Sequence, residues 1–144
     1  MKLSTRGRYG ILAMFDLAVR ADEGPVSIKS IAERRGISEA YLEQLIAVLK
    51  RAELVTSTRG AQGGYALSRP AAEITVGQVL RALEGSLNLV SCVGSEEVCG
   101  RACDCPSRIV YQKISDGLNQ VADSITLEDM VNDYERACAG GNDT

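Results

Sequence analysis

The chain has 144 residues and a net charge of −3, with five cysteines and no histidine. The missing histidine excludes Ser–His and Cys–His catalysis, and no segment resembles a signal peptide or approaches the roughly 18 apolar residues of a membrane span. The charge is unevenly divided, because residues 1–69 hold 11 Lys and Arg against 7 Asp and Glu, whereas residues 70–144 hold 5 against 12; the basic first half suits a polyanionic partner.

Two helices are predicted first. The first runs from about Ser4 to Arg20, and residues at helical spacing give it one apolar face, made of Ile11, Leu12, Met14, Phe15, Ala18 and Val19. The second begins at Ser27 and ends at about Arg35, where Gly36 is suited to a left-handed C-cap.

A third helix and a hairpin follow. Ser38 caps the helix, and its apolar stripe follows the i, i+3, i+4, i+7 pattern, with Leu42, Leu45, Ile46 and Leu49. A short helix, a turn with Gly and an amphipathic helix are typical of a helix-turn-helix. Strands Leu54–Ser57 and Gly64–Ser68 surround a glycine-rich tip. The expected fold is therefore a winged helix-turn-helix, mainly α with a small β-hairpin wing, and residues 1–84 form the predicted DNA-binding domain.

A further helix precedes a segment without helical or strand periodicity. Thr75 and Gln78 form a capping box for a helix that ends near Glu84. Residues 85–105 contain four of the five cysteines. We therefore expect residues 85–105 to be a cysteine-rich loop that binds a cluster.

The C-terminal part, residues 106–136, is predicted to be a long helix and a short one. Pro106 suits the first position of the long helix, and its narrow apolar seam consists of Val110, Ile114, Leu118, Val121 and Ile125. A second copy of the chain would cover this seam in a two-fold dimer; packing against its own winged domain is the alternative. Thr126 caps the last helix, which is expected to end near Arg136, with residues 137–144 as a flexible tail.

The start of the third helix is the predicted reading surface for DNA. Ser38, Tyr41 and Gln44 lie there outside the apolar stripe, and such positions of a recognition helix face base edges. Glu43 has two interpretations, since it could accept a hydrogen bond from cytosine N4 or be a solvated charge.

Three arginines are candidates for further DNA contacts. Arg59 lies at the tip of the wing beside Gly60, where an arginine can enter a narrow minor groove. Arg6 and Arg8 flank the start of the first helix and are candidates for phosphate contacts, which add affinity but little specificity.

Four cysteines lie close together in the sequence. Cys92, Cys99, Cys103 and Cys105 are separated by six, three and one residues. Clustered thiols in an intracellular protein favour an iron–sulfur cluster or zinc, although the Cys103–Cys105 pair is too tight for an ordinary zinc knuckle. A thiol–disulfide switch and buried, unligated cysteines are the alternatives. Cys138 stands apart and is expected to be incidental.

Several segments resemble one regulator family. The segments KLSTRGRYGILAMFDLA, SIKSIAERRGISEAYLEQLIAVLKRAELVTSTRGAQGGY, ITVGQVLRALEG and SITLEDMVND are similar to the winged-helix regulators that include IscR, NsrR and CymR. The resemblance covers nearly the whole chain. It implies a homodimer whose long helices cross and which binds palindromic, double-stranded promoter DNA through helix and wing.

The resemblance also implies site residues. Ser38, Tyr41, Glu43 and Gln44 correspond to the recognition helix, and Arg59 corresponds to the wing. In the iron–sulfur-assembly regulators the glutamate at the Glu43 position affects which class of DNA site is accepted, which favours a functional Glu43.

In the cluster-binding branches of this family three cysteines hold an iron–sulfur cluster, of the 2Fe–2S or 4Fe–4S type. Cys92, Cys99 and Cys105 match them best. Arg108 stands where the assembly regulator has a histidine, and arginine cannot ligate iron. The fourth ligand is therefore open, with Cys103, Asp104, a residue near the partner's N-terminus or a small molecule as candidates.

The expected function is that of a cytoplasmic, homodimeric transcription regulator, neither an enzyme nor a membrane protein, which senses iron, redox state or nitric oxide through its cluster. The alternative is a metal-free or thiol-switch regulator of cysteine and sulfur metabolism that a partner protein controls.

Overall fold

The structure, a computed structural model, describes residues 3–89 and 106–141. In these ranges it contains six α-helices, two short 3-10 helices and a two-stranded hairpin. The helices are α1 (Thr5–Val19), α2 (Ile28–Arg35), α3 (Glu39–Arg51), α4 (Val76–Glu84), α5 (Pro106–Ser124) and α6 (Leu127–Gly141); the strands are β1 (Val55–Thr58) and β2 (Gly64–Leu67).

Side-chain caps begin the helices where the sequence predicts them. The hydroxyls of Ser4, Ser27 and Ser38 each accept a hydrogen bond from a backbone N–H of the first turn, which satisfies a donor that the helix itself leaves unpaired. Gly36 ends α2 in the left-handed conformation, with φ 67° and ψ 35°. Thr75 and Gln78 form the predicted capping box of α4.

The hairpin forms the predicted wing, with each strand boundary within one residue of its expected place. Strands β1 and β2 are antiparallel, with Val55 opposite Leu67 and Thr58 opposite Gly64. Val26 extends the sheet, because it exchanges two backbone hydrogen bonds of 2.8 Å with Tyr65. A Cβ atom on Gly64 would lie 2.5 Å from the carbonyl oxygen of Val26, so this close approach requires glycine. The wing is thereby attached to the segment that leads into α2.

Helix α6 returns to the winged domain. Its first residue, Leu127, is fully buried in the main core, and the N–H of Leu127 donates to the carbonyl of Ile74 at 2.9 Å. Further along α6, the ring of Tyr134 meets Phe15 of α1 edge to face, with centroids 5.1 Å apart. The α5–α6 junction is therefore part of the same folded unit as α1 and α4.

Two details of the helices differ from the sequence-based expectation. Val19 is exposed by 44%, although its spacing predicts a place on the apolar face of α1. Ala13 and Leu17 are buried in the main core instead, because α1 packs against four other helices, α2, α3, α4 and α6. Helix α6 continues to Gly141 instead of ending near Arg136. Ala137 and Ala139 favour helix, so residues 137–141 continue α6, and residues 142–144 lie outside the described ranges.

The apolar seam of α5 divides between two environments. Leu118 packs against a small cluster of Leu80, Leu87 and Ala122. In contrast Val110, Ile114 and Val121 are exposed by 53%, 45% and 58%. Packing among residues 3–89 and 106–141 thus covers only part of the seam. None of the helices in the described ranges is long and apolar enough to cross a membrane.

Candidate nucleic-acid interface

Helix α3 has a buried face and an exposed face. Leu42, Leu45, Ile46 and Leu49 are buried, as the sequence predicts. With 3.6 residues per turn, the opposite face carries exposed residues, namely Ala40, Glu43, Gln44, Ala47 and Arg51. Ser38 is exposed at the start of the helix, and its Oγ accepts from the N–H of Tyr41 at 3.2 Å. The candidates Ser38, Glu43 and Gln44 therefore lie together on the open side of the helix.

Tyr41 has a different environment from its neighbours. It is half-buried, and its ring meets Tyr9 of α1 edge to face, with centroids 6.0 Å apart and planes at 82°. Such aromatic pairs contribute roughly 0.5–1.5 kcal/mol beyond buried area. Tyr41 thus connects α3 to α1 as well as lying at the edge of the exposed face.

Two groups of arginines differ in whether an acidic side chain pairs with them. Arg20, Arg34, Arg35 and Arg81 form ion pairs with acidic side chains. Within residues 3–89 and 106–141, the candidate cations Arg6, Arg8 and Arg59 have no acidic partner within 4.0 Å, and neither has Arg51; all four are exposed. The fold neutralises the arginines used for packing and leaves those near α3 and the wing available for an anionic partner.

A cleft with apolar walls and a few polar side chains lies between the start of α1 and the side of α3. It has a volume of about 390 Å³, and its polar lining consists of Arg6, Tyr41, Gln44 and Arg51. Two predicted base readers and one predicted phosphate contact therefore share one surface. Arg51 was not among the site residues predicted from the sequence, although its position seven residues after Gln44 places both on one side of α3.

Arg59 lies at the tip of the wing. It immediately follows β1, is exposed, and precedes Gly60, whose φ of 115° is reached easily by glycine. The turn is tight, because a Cβ on Gly63 would collide with the carbonyl oxygen of Thr58. Arg59 is therefore exposed within a tight turn at the end of the wing.

Asp16 is a buried charge that sequence analysis missed. Its side chain has no exposed surface, and Arg34 binds it through two hydrogen bonds, Nε to Oδ1 at 3.0 Å and Nη2 to Oδ2 at 2.7 Å. Arg35 Nε donates to Oδ1 at 3.0 Å. This network joins α1 to α2 and fixes the first helix of the helix-turn-helix. A lone aspartate in the apolar run ILAMFDLAV was the available signal, since buried carboxylates need charged partners.

The surroundings of Asp16 set its protonation state. Burial raises the pKa of this carboxyl, but the hydrogen bonds and the positive charges of Arg34 and Arg35 together outweigh burial and leave the pKa below its ordinary value of 3.8. Asp16 is therefore ionised near neutral pH.

A second arginine network joins the winged domain to α5. Arg81 of α4 donates to Asp123 Oδ1 at 2.6 Å and Oδ2 at 2.9 Å, and to Asn119 Oδ1 at 2.6 Å. Hydrogen bonds from Arg81 lower the pKa of Asp123 below its ordinary value. These bonds hold the C-terminal half of α5 against α4.

The candidate ligands Cys92, Cys99, Cys103 and Cys105 lie outside the described residues. Among the residues that are described, no group of three or more His, Cys, Asp or Glu could hold a metal ion. Arg108 is half-buried in the first turn of α5, and Cys138 is exposed on α6.

Comparison with known proteins identifies the family. The Rrf2 family model, described as an iron-dependent transcriptional regulator, matches residues 3–133. The HTH-type transcriptional regulator CymR of Bacillus subtilis (strain 168) is 45% identical over 130 residues, which cover 90% of this chain and 89% of that protein.

Two solved structures have the same fold. T. potens IscR is 51% identical with a TM-score of 0.79, and the match covers 95% of this chain and 90% of that one. The structure described as CymR, the global cysteine regulator of B. subtilis, is 43% identical with a TM-score of 0.76, covering 92% of this chain and 97% of that one. These similarities confirm the winged-helix fold and the resemblance found in the sequence. The chain belongs to the Rrf2 family and is a DNA-binding transcription regulator, not an enzyme.

Proposed function

We propose that the protein binds palindromic, double-stranded promoter DNA as a homodimer, with α3 in the major groove and Arg59 of the wing in the adjacent minor groove. The observation that carries this proposal is that Arg6, Arg8 and Arg59 are exposed and have no acidic partner within 4.0 Å among the described residues, while Arg6 lines the same cleft as Gln44 of α3. Ser38, Glu43 and Gln44 then face base edges, with Tyr41 at the side of the groove. A cytoplasmic location follows from this role.

Binding-site selection from random duplexes, followed by titration of the selected site, tests the DNA-binding mode. Gln44→Ala should change the preferred bases, because an amide can read adenine. Arg8→Ala should weaken all sequences equally and lower the salt slope by about 1, as for a phosphate contact. Arg136→Ala, an exposed arginine on α6, is the control. Unchanged selection by the Gln44 variant, together with an unchanged salt slope for the Arg8 variant, would contradict the proposed mode.

The homodimer rests on the exposed part of the α5 seam. Val110, Ile114 and Val121 leave apolar surface in water, which a second copy would bury at low cost in charge desolvation. We expect Ile114→Lys with Val121→Lys to produce a monomer in sedimentation equilibrium. Val19→Lys is the matched control, since Val19 is equally apolar and exposed but lies on α1. A dimer that survives the double change would contradict this interface.

For the cofactor, we propose that Cys92, Cys99 and Cys105 ligate an iron–sulfur cluster. The donor set fits, because thiolates are the usual ligands of such clusters. Arg108 is excluded as a ligand, since a guanidinium has no lone pair to donate, so Cys103, Asp104, a partner residue or a small molecule completes the set. When bound, the cluster supplies a centre whose oxidation, nitrosylation or loss reports iron, redox state or nitric oxide.

Cys105 immediately precedes α5, so a change in its ligation acts directly on the helix that carries the proposed dimer seam. Anaerobic purification should give iron and acid-labile sulfide in stoichiometric amounts, and Cys92→Ala should lose both while Cys138→Ala keeps them. The same Cys92 variant should also differ from the parent in promoter affinity or site preference. If it retains iron, sulfide and unchanged binding, the cluster proposal is wrong.

The second candidate is a metal-free or thiol-switch regulator of cysteine and sulfur metabolism controlled by a partner protein. The similarity to CymR, described as a global cysteine regulator, favours it. A colourless, iron-free protein that still binds DNA would select this candidate, and mass spectrometry of the thiols before and after mild oxidation would then separate a thiol switch from control by a partner.

A further inference from the structure

The cleft between α1 and α3 has the features of an anion site. Arg6 contributes one guanidinium from the start of α1, and Arg51 contributes a second from the end of α3. None of the residues that line the cleft is acidic. Tyr41 and Gln44 add uncharged polar side chains to its lining.

The position of Arg51 on α3 connects the cleft to the groove-facing side of that helix. Gln44, Ala47 and Arg51 are spaced i, i+3 and i+7, so they lie on one face, and all three are exposed. The reading residues occupy the first turns of α3, whereas Arg51 lies at its end, beyond the reach of base edges when the helix enters a groove by its N-terminus. An arginine at that place meets the sugar–phosphate backbone at the rim of the groove.

We propose that this cleft binds a single DNA phosphate between Arg6 and Arg51. The inference rests on the proposed function and adds a residue and a role to it. Because Arg6 belongs to α1 and Arg51 to α3, one phosphate bound by both fixes the recognition helix at a defined angle to the duplex. Arg51 is a positioning residue for base reading and makes no base contact itself.

Salt dependence tests the charge contact. Neutralising one phosphate contact lowers the slope of log K against log salt by about 0.9. When salt rises from roughly 50 to 200 mM, the fold-loss of affinity should therefore be about 3.5 times smaller for Arg51→Gln than for the parent. This reduction in salt dependence should be the same for selected and random duplexes. Lys50→Gln is the matched control: Lys50 is the adjacent exposed cation, but it does not line the cleft, so its slope should equal that of the parent.

A phosphate-by-residue cycle tests whether the two arginines share one phosphate. Each backbone phosphate of the selected site is replaced in turn by an uncharged methylphosphonate. One position should weaken the parent protein but have no further effect on Arg51→Gln or on Arg6→Gln, and the double variant should lose less than the sum of the single losses.

The outcomes separate this inference from the function on which it rests. Equal slopes for Arg51→Gln and Lys50→Gln, an altered base preference for Arg51→Gln, or different phosphates for Arg6 and Arg51 would each overturn the shared-phosphate cleft while leaving DNA binding intact. A parent protein that binds no duplex at low salt overturns the proposed function itself. Arg6, Lys50 and Arg51 are all exposed. Melting temperatures within a few degrees of the parent's confirm that the variants are folded.

Discussion

Asp16 and Asp123 give a direct comparison of buried and exposed ion pairs in one protein. Asp16 accepts two hydrogen bonds from Arg34 and one from Arg35, at 2.7–3.0 Å, and Asp123 accepts two from Arg81, at 2.6–2.9 Å. The side chain of Asp16 is fully buried, whereas that of Asp123 is 47% exposed. Replacing either by asparagine keeps the shape but places an NH₂ group where an oxygen accepted from arginine.

The expected losses differ because water can replace only the exposed partner. Breaking a buried pair costs about 3–5 kcal/mol, and the side chains of Arg34 and Arg35, which are 29% and 22% exposed, can recover some hydration. We therefore expect Asp16→Asn to lower the free energy of unfolding by about 3 kcal/mol. Asp123→Asn should lower it by no more than about 1 kcal/mol, as for other exposed pairs.

Urea titration at pH 7 measures both losses, and repeating it in acid tests the cause. The pKa of folded Asp16 is lowered, so its stabilisation is complete well above 3.8 and is lost as pH falls through the lower folded value. The difference between parent and Asp16→Asn should accordingly narrow below pH 3.8. Equal losses for the two variants, or a difference independent of pH, would refute the assignment of Asp16 as the charged link between α1 and α2.

Three further predictions concern how the winged domain is held together. Leu127→Ala should destabilise the protein by about 2–5 kcal/mol, since Leu127 is fully buried; a loss below 1 kcal/mol in a urea titration would mean that α6 is not anchored there. Thr75→Ala should cost about 1 kcal/mol through the lost cap of α4, and Thr75→Ser should restore most of it in the same titration. Gly64→Ala should separate β2 from Val26, so that DNA affinity falls clearly while the melting temperature falls only slightly. An unchanged affinity would contradict the role given to the wing.

Local rules predicted most of the winged domain from the sequence. The caps Ser4, Ser27 and Ser38 act within three residues of themselves, and the left-handed Gly36 depends only on its own backbone. The stripe of α3 follows from its period alone. Elements whose sequence signal is local are therefore placed correctly. The ends of the hairpin strands also lie within one residue of their predicted positions.

Relations between distant parts of the chain were not predictable in this way. The partners of Asp16 are 18 and 19 residues away on another helix, so no local pattern identifies them. In the sequence Arg51 is an ordinary solvated charge, and only the fold shows that it lines the same cleft as Arg6. The exposure of Val19 likewise depends on which faces of α1 the other helices cover.

The pairing of Ile74 and Val76 with Ile125 and Leu127 makes the winged body a discontinuous domain. The N–H of Val76 donates to the carbonyl of Ile125 at 2.8 Å, and that of Leu127 donates to the carbonyl of Ile74 at 2.9 Å. These two hydrogen bonds join the segments that lie on either side of residues 90–105 in the sequence. A single proteolytic nick between those residues should therefore yield two fragments that co-migrate under native conditions and separate only in denaturant. Truncation after Glu84, in contrast, removes the buried Leu127 and should leave an incomplete core.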